Sequence, residues 1–221
     1  MPSRPRLPVK ASVVMAIVVI AIPAVGLVAP GLAAAATPPI PTATCNANVS
    51  GQIQYTTTVN TKSYARAKND LVITIAPGQT SGSRTITSNT TYSGSVKISG
   101  GVSVNAGIII ANAAVKAGVS LSLGAAFQDG DSWSVGPYHN TTAQYRDAVA
   151  YAGSKIVEGQ YTKWACGLSP NTGFWTWLTQ VSSTYGAWNQ FFAAMVWCDD
   201  DAILKSQYGT WSIQYDAASH C

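Results

Sequence analysis

The chain has 221 residues, only 10% of them charged, with 13 Lys and Arg against 9 Asp and Glu. Three of the basic side chains, Arg4, Arg6 and Lys10, precede an apolar run over residues 11–28 and the small residues of 33–36, the pattern of a secretory signal peptide cleaved after Ala36. The remainder carries ten basic and nine acidic side chains, too even a balance to neutralise a phosphate backbone, so nucleic acid is excluded as a partner.

An uncleaved membrane anchor is the competing reading of residues 1–36, and Pro23, Pro30 and the alanine tract favour cleavage. Residues 37–50 begin with a Pro/Thr-rich stretch and read as an extended N-terminal segment. Ser and Thr then supply 19 of the 54 residues over 50–103. Their hydroxyls allow half-buried strands with little charge, and β-branched Thr suits a pleated surface. Strands are expected over 52–59, 71–76 and 83–91, with Pro77 and Gly78 turning the chain between the last two.

Over 96–110 the even positions Val96, Ile98, Val102, Val104, Ala106, Ile108 and Ile110 are apolar while their odd neighbours are mostly polar or glycine. Past Asn112 the phase inverts, and Val115, Ala117, Val119, Leu121 and Leu123 form the apolar set. Residues 96–123 therefore read as a long amphipathic hairpin with a break near Asn112; a helix over 105–118 fits the same residues, because Ala106, Ile109, Ile110, Ala113 and Ala117 also have helical spacing. A short return strand is expected over 132–135.

The second part differs in composition: 17 of the 21 aromatic residues lie in 133–221. Residues 145–164 suit a hairpin turning at Gly153-Ser154 or Gly159, with a helix over 143–157 as the alternative. Trp188, Phe191, Phe192, Met195 and Val196 recur at the spacing of one helical face, which predicts a helix over 185–197. A short helix over 202–208, capped by Asp200 or Asp201 and closed by Gly209, and a last strand over 210–215 complete the chain. The expected fold is mainly β: an elongated antiparallel sheet or β-sandwich with a long amphipathic hairpin and one or two short helices near the C-terminus. It divides into a Ser/Thr-rich β region over 51–166 and an aromatic-rich lobe over 167–221.

Cys45, Cys166, Cys198 and Cys221 are an even set behind a secretory signal, which predicts two disulfides and a secreted, extracellular protein. Of the three pairings, the preferred one joins Cys198 to Cys221, which would tie down the chain end, and Cys45 to Cys166, which would clamp the start of the mature protein. No C-x-x-C spacing accompanies them, and His139 and His220 stand apart, so no metal or cofactor is expected.

Enzyme constellations are thin. No G-x-S-x-G, phosphate loop or H-E-x-x-H occurs, and Glu158 is the one Glu, so paired-carboxylate chemistry would have to draw on Asp129, Asp131, Asp147, Asp199, Asp200, Asp201 or Asp216. A small secreted hydrolase would use His139, the one interior histidine, with an Asp and a Ser or Thr. A non-enzymatic protein is therefore the leading expectation. Two of its features suit contact with a surface. Strands alternating between apolar and small polar residues suit a lipid-inserting hairpin, with Val96, Ile98, Val102, Val104, Ile108, Ile110, Val115, Val119, Leu121 and Leu123 as its lipid-facing candidates. Clustered rings suit a membrane interface or a sugar, with Trp175, Trp177 and Trp188 as the candidate binding surface. Candidate partners are a membrane surface, a cell-envelope glycan and further copies of the chain.

The Ser/Thr-rich strands over 53–91, the amphipathic 96–123 segment and the return strand over 132–135 together resemble the membrane-inserting module of aerolysin-type β-pore-forming proteins. The alanine-rich signal and the Ser/Thr/Gly-rich strands also resemble small secreted proteins of Gram-positive actinobacteria. The first resemblance implies a soluble monomer or dimer that docks through its aromatic lobe, assembles into a ring and unfolds its hairpin into a barrel. No catalytic or binding residue is carried over from it.

Overall fold

The computed structural model describes residues 36–67 and 71–221; the residues expected to form a signal peptide, up to Ala35, lie outside them. The protein is mainly β. Its strands are β1 (Ile53–Thr57), β2 (Thr61–Arg66), β3 (Leu71–Ile75), β4 (Arg84–Thr87), β5 (Tyr92–Val96), β6 (Gly124–Phe127), β7 (Ser132–Val135), β8 (Arg146–Leu168) and β9 (Trp175–Trp197). Helix α1 (Ala106–Ala117) separates β5 from β6, and α2 (Asp201–Tyr208) and α3 (Ile213–Ser219) follow β9.

The long hairpin of the fold is β8–β9, not 96–123. Its two 23-residue antiparallel strands form the spine of a seven-stranded sheet of order β1-β8-β9-β5-β6. Strands β1, β2 and β3 lie end to end along the outer side of β8, opposite residues 161–165, 153–158 and 146–150 respectively. Gly153 and Gly159, expected at turns, sit inside β8, where the neighbouring chain comes close. A Cβ on Gly159 would stand 1.9 Å from the Thr58 carbonyl oxygen, and one on Gly153 would stand 2.5 Å from that of Ala65. The boundary drawn between residues 166 and 167 likewise falls inside β8.

Residues 185–197 lie in β9, not in a helix. Phe191, Met195 and Trp197 pack into one core with Ala148, Ala150, Ala152, Ile86 and Val135, while Phe192, Ala194 and Val196 pack into another with Val149, Tyr151, Ile213 and Ala217. A strand covered on both faces is apolar at consecutive positions, and such a run also satisfies helical spacing. The two-stranded β4–β7 sheet contributes to the first core and α3 to the second. The last strand expected over 210–215 is replaced by α3. Its N-cap Ser212 accepts a hydrogen bond from the Tyr215 amide at 3.2 Å, and Ile213, Ala217 and Ala218 are buried on the sheet.

Residues 96–123 are not a hairpin: helix α1 occupies their centre. The Asn105 side chain caps it by accepting from the Ile108 amide at 3.1 Å, and Gly118, at φ 72°, closes it in the left-handed conformation. Ile109, Ile110, Ala113 and Ala117 form its buried stripe against Val157, Tyr161, Val181, Tyr185 and Ala187. The segment would need neighbouring strands to satisfy the backbone of a 96–123 hairpin. As a helix, its central part satisfies its own.

Helix α1 also covers an exposed edge. Strand β1 ends the sheet, so its outward carbonyls lack a strand partner. Asn112 and Lys116, one turn apart on α1, donate to the carbonyls of Tyr55 and Thr57, two residues apart on that edge. Both disulfides form as preferred, Cys45–Cys166 and Cys198–Cys221, and are compatible with an extracellular protein. Among the described residues no helix is long and apolar enough to cross a membrane, which leaves membrane-spanning strands unaddressed.

Candidate functional site

The ten residues expected to face lipid do not share one face. Ile110 is buried in the core under α1, and Val102, Val104, Val119 and Leu121 pack against that core. Val96 ends β5 opposite Tyr185, also against this core. Ile98, Ile108, Val115 and Leu123 are exposed, with Val115 at 83%. Polar bonds from the sheet hold the segment down: Lys62 donates to the Ala117 carbonyl and Lys163 to that of Ser103, both at 2.7 Å, and Asn189 donates to the Ser120 carbonyl at 2.7 Å.

The three rings proposed as a binding surface also separate. Trp177 is 9% exposed and donates its indole N–H to the Ala43 carbonyl at 2.7 Å. Trp188 is half-buried and bonded to the Gly124 carbonyl. Trp175 alone is exposed, at 46%, and it stands where β8 turns into β9.

That turn gathers exposed apolar side chains from both strands of the hairpin. Leu168 and Trp175 are the last cross-strand pair of the hairpin, and the loop between them is closed by bonds from the Ser169 amide to the Phe174 carbonyl and from the Gly173 amide to the Ser169 carbonyl, both 2.9 Å. Gly173 adopts φ 71°, which the turn requires. Leu168 is 56% exposed and Phe174 75%, so three large apolar side chains project at one end of the sheet. Just behind them, Cys45–Cys166 pins the N-terminal segment to the hairpin, and exposed Ile53 lies opposite Ala165.

The electrostatics of this end are distinctive. No charged residue occurs from Trp164 to Cys198, a span of 35 residues, nor from Ala36 to Thr61. The nearest charge along β8 is Lys163, 9% exposed and committed to the Ser103 carbonyl. Counting charges along the sequence, rather than rings, would have located this site.

The other end of the hairpin carries the charged groups. Arg146 is bonded to the carboxylates of Asp199 and Asp200, and its guanidinium holds the Asp199 carboxyl below its ordinary range. Asp216, buried under α3, accepts from Tyr64 at 2.7 Å and pairs with Arg66 at 2.5 Å. Burial, with Asp216 as a further cause, pushes the Tyr64 phenol up to about 12. Burial likewise raises Tyr151 and Tyr185 to about 12, and Tyr92 with a contribution from Glu158.

His139 is exposed, with its Nδ1 2.7 Å from the Thr80 hydroxyl, and among the described residues no carboxylate bonds to the ring. Nor do three His, Cys, Asp or Glu side chains gather anywhere among these residues as a metal set. Comparison with family models, with curated proteins and with solved structures finds no match to this chain.

Proposed function

We propose that this is a secreted, non-enzymatic protein that docks on lipid bilayers through the uncharged tip of the β8–β9 hairpin. The observation that carries the reading is the coincidence of exposed Leu168, Phe174 and Trp175 with an end of the sheet poor in charge. Apolar and indole side chains favour the boundary between headgroups and hydrocarbon, and a charge carried below that boundary would be costly. The signal-like residues 1–36 and the two disulfides support export.

Magnitudes limit what one tip can do. Transfer of three half- to three-quarters-exposed side chains contributes roughly 4 kcal/mol, corresponding to a dissociation constant near 1 mM. Firm attachment therefore calls for several copies acting together, and a homo-oligomer on the membrane is part of the proposal. The resemblance in layout to aerolysin-type proteins adds pore formation as its strongest version, in which residues 96–123 would first have to leave the sheet.

Flotation with phosphatidylcholine vesicles at millimolar lipid tests the docking. The mature protein should co-float equally at low and high salt, since no charge lies at the tip. A Phe174→Ser/Trp175→Ser variant should fold with stability changed by no more than about 0.5 kcal/mol and fail to float. Absence of flotation, or flotation that the double substitution leaves intact, would refute the proposal. Dye release from the same vesicles separates pore formation from docking alone.

A further inference from the structure

Helices α1 and α3 contact the same face of the sheet, α1 against Val157 and Tyr161 and α3 against Val149 and Tyr151 of β8. Odd-numbered residues of β8 share this face, and Lys155 lies between the two helices. Lys62 of β2 is opposite Val157 while Tyr64 is opposite Lys155, so the two lysines are diagonal neighbours on one face. Their ammonium groups converge on one indole: Lys62 Nζ is 4.9 Å and Lys155 Nζ 5.2 Å from the ring centroid of Trp211, the residue that leads into α3. Lys155 also stands 5.8 Å from the Phe192 ring.

Among the described residues neither lysine forms an ion pair. Asp216 is held by Tyr64 and Arg66, and Glu158, an even-numbered residue of β8, belongs to the opposite face, where it accepts from Thr61. Lys62 spends one hydrogen bond on the Ala117 carbonyl, and Lys155 makes none to protein. Like charges close together on one sheet face oppose folding, and the indole offsets only part of that through cation–π attraction. Burial of Lys155 lowers its pKa, as expected of an ammonium without a counter-charge.

We propose that Lys62, Lys155 and Trp211 form a binding site for a small soluble oxyanion of the phosphate or sulfate type. Two ammonium groups held within about 5 Å of one indole supply charge-assisted donors. The site is thirteen residues of strand from Leu168, about 43 Å, so a bilayer at the hairpin tip does not reach it. The assignment is therefore independent of the docking proposal.

Titrating the mature protein with inorganic phosphate at constant ionic strength, with chloride as the control, tests it by following the Trp211 indole N–H resonance. A saturable shift is expected, with affinity falling about tenfold or more in Lys155→Gln. Lys155 has no hydrogen bond to lose, so this variant should fold normally. Lys62→Gln should weaken binding comparably, with a melting curve to check that α1 stays docked. A response that matches chloride, or a saturable one unchanged in Lys155→Gln, would overturn the assignment.

Discussion

The two ends of the β8–β9 hairpin are built from the same pair of strands and finished in opposite ways. At the open end, Arg146 bridges to Asp199 and Asp200, Cys198–Cys221 ties the residues after α3 to the end of β9, and α3 and the β4–β7 sheet contribute to the cores on the two faces. At the turn, Cys45–Cys166 fixes the N-terminal segment, charge is almost absent, and Leu168, Phe174 and Trp175 project uncovered. Of the apolar residues at the open end, most fill these cores, and exposed Tyr145, Ile203 and Tyr208 each lie within three residues of a charged side chain. Those at the turn fill none, which is the reason for assigning them a partner outside the chain.

The largest test of this contrast removes the two disulfides separately. Cys45–Cys166 closes 121 residues and Cys198–Cys221 closes 23. On the chain-entropy account the first stabilises by about 5 kcal/mol and the second by about 3 kcal/mol. Paired Cys→Ser variants, compared by denaturant midpoint, should show the turn-end bridge as the costlier loss. The reverse order would mean that the open end depends on its bridge more than loop length predicts.

Glycines along β8 give the next effect. Gly159→Ala places a Cβ against the Thr58 carbonyl, an obstruction made of backbone, and should destabilise by about 3 kcal/mol. Gly167→Ala, near the turn, meets only the flexible Leu178 side chain, with Cδ1 at 3.0 Å, and should cost about 1 kcal/mol or less. Thermal melts of the two variants would show whether the turn tolerates substitution better than the crowded middle of the hairpin.

A gentler perturbation is alkaline pH. Tyr64, Tyr92, Tyr151 and Tyr185 have folded pKa values near 12 against an ordinary 10, so their contribution is fully present below pH 10 and is lost as pH rises from 10 to 12. Tyr185 illustrates the cause, since its buried hydroxyl donates to the Thr58 carbonyl at 2.7 Å and a phenolate has no proton to give. Absorbance at the phenolate band should rise together with unfolding in this window. Ionisation of these four without loss of structure would show the core to be wetter than their burial indicates. None of the four lies at the turn, which should add nothing to the transition.

Much of the chain could be read locally. The strands at β1, β3 and β7, the helix α2 closed by Gly209, and the formation of two disulfides follow from propensity, the glycine stop and the even set of cysteines, whereas Asp200, expected to cap α2, makes no side-chain cap bond. The failures share one cause: a pattern records which residues are apolar and is silent on how many neighbours cover them. Phe191 and Phe192 are adjacent in sequence and belong to different cores. Ile108 and Ile110 share a parity and differ in exposure, because α1 turns one outward and the other inward.

By itself, then, the amino-acid sequence determined the β-rich composition, the near-neutral charge of residues 37–221, the even set of cysteines and the 35-residue span without charge. Tertiary structure alone decided that this span forms one strand and the tip of a hairpin, that Trp177 is covered while Trp175 is not, and that Lys62 and Lys155 meet at Trp211. Composition and local spacing are properties of neighbouring residues. Exposure and charge balance depend on pairings such as Tyr64 with Lys155, made across some ninety residues of chain.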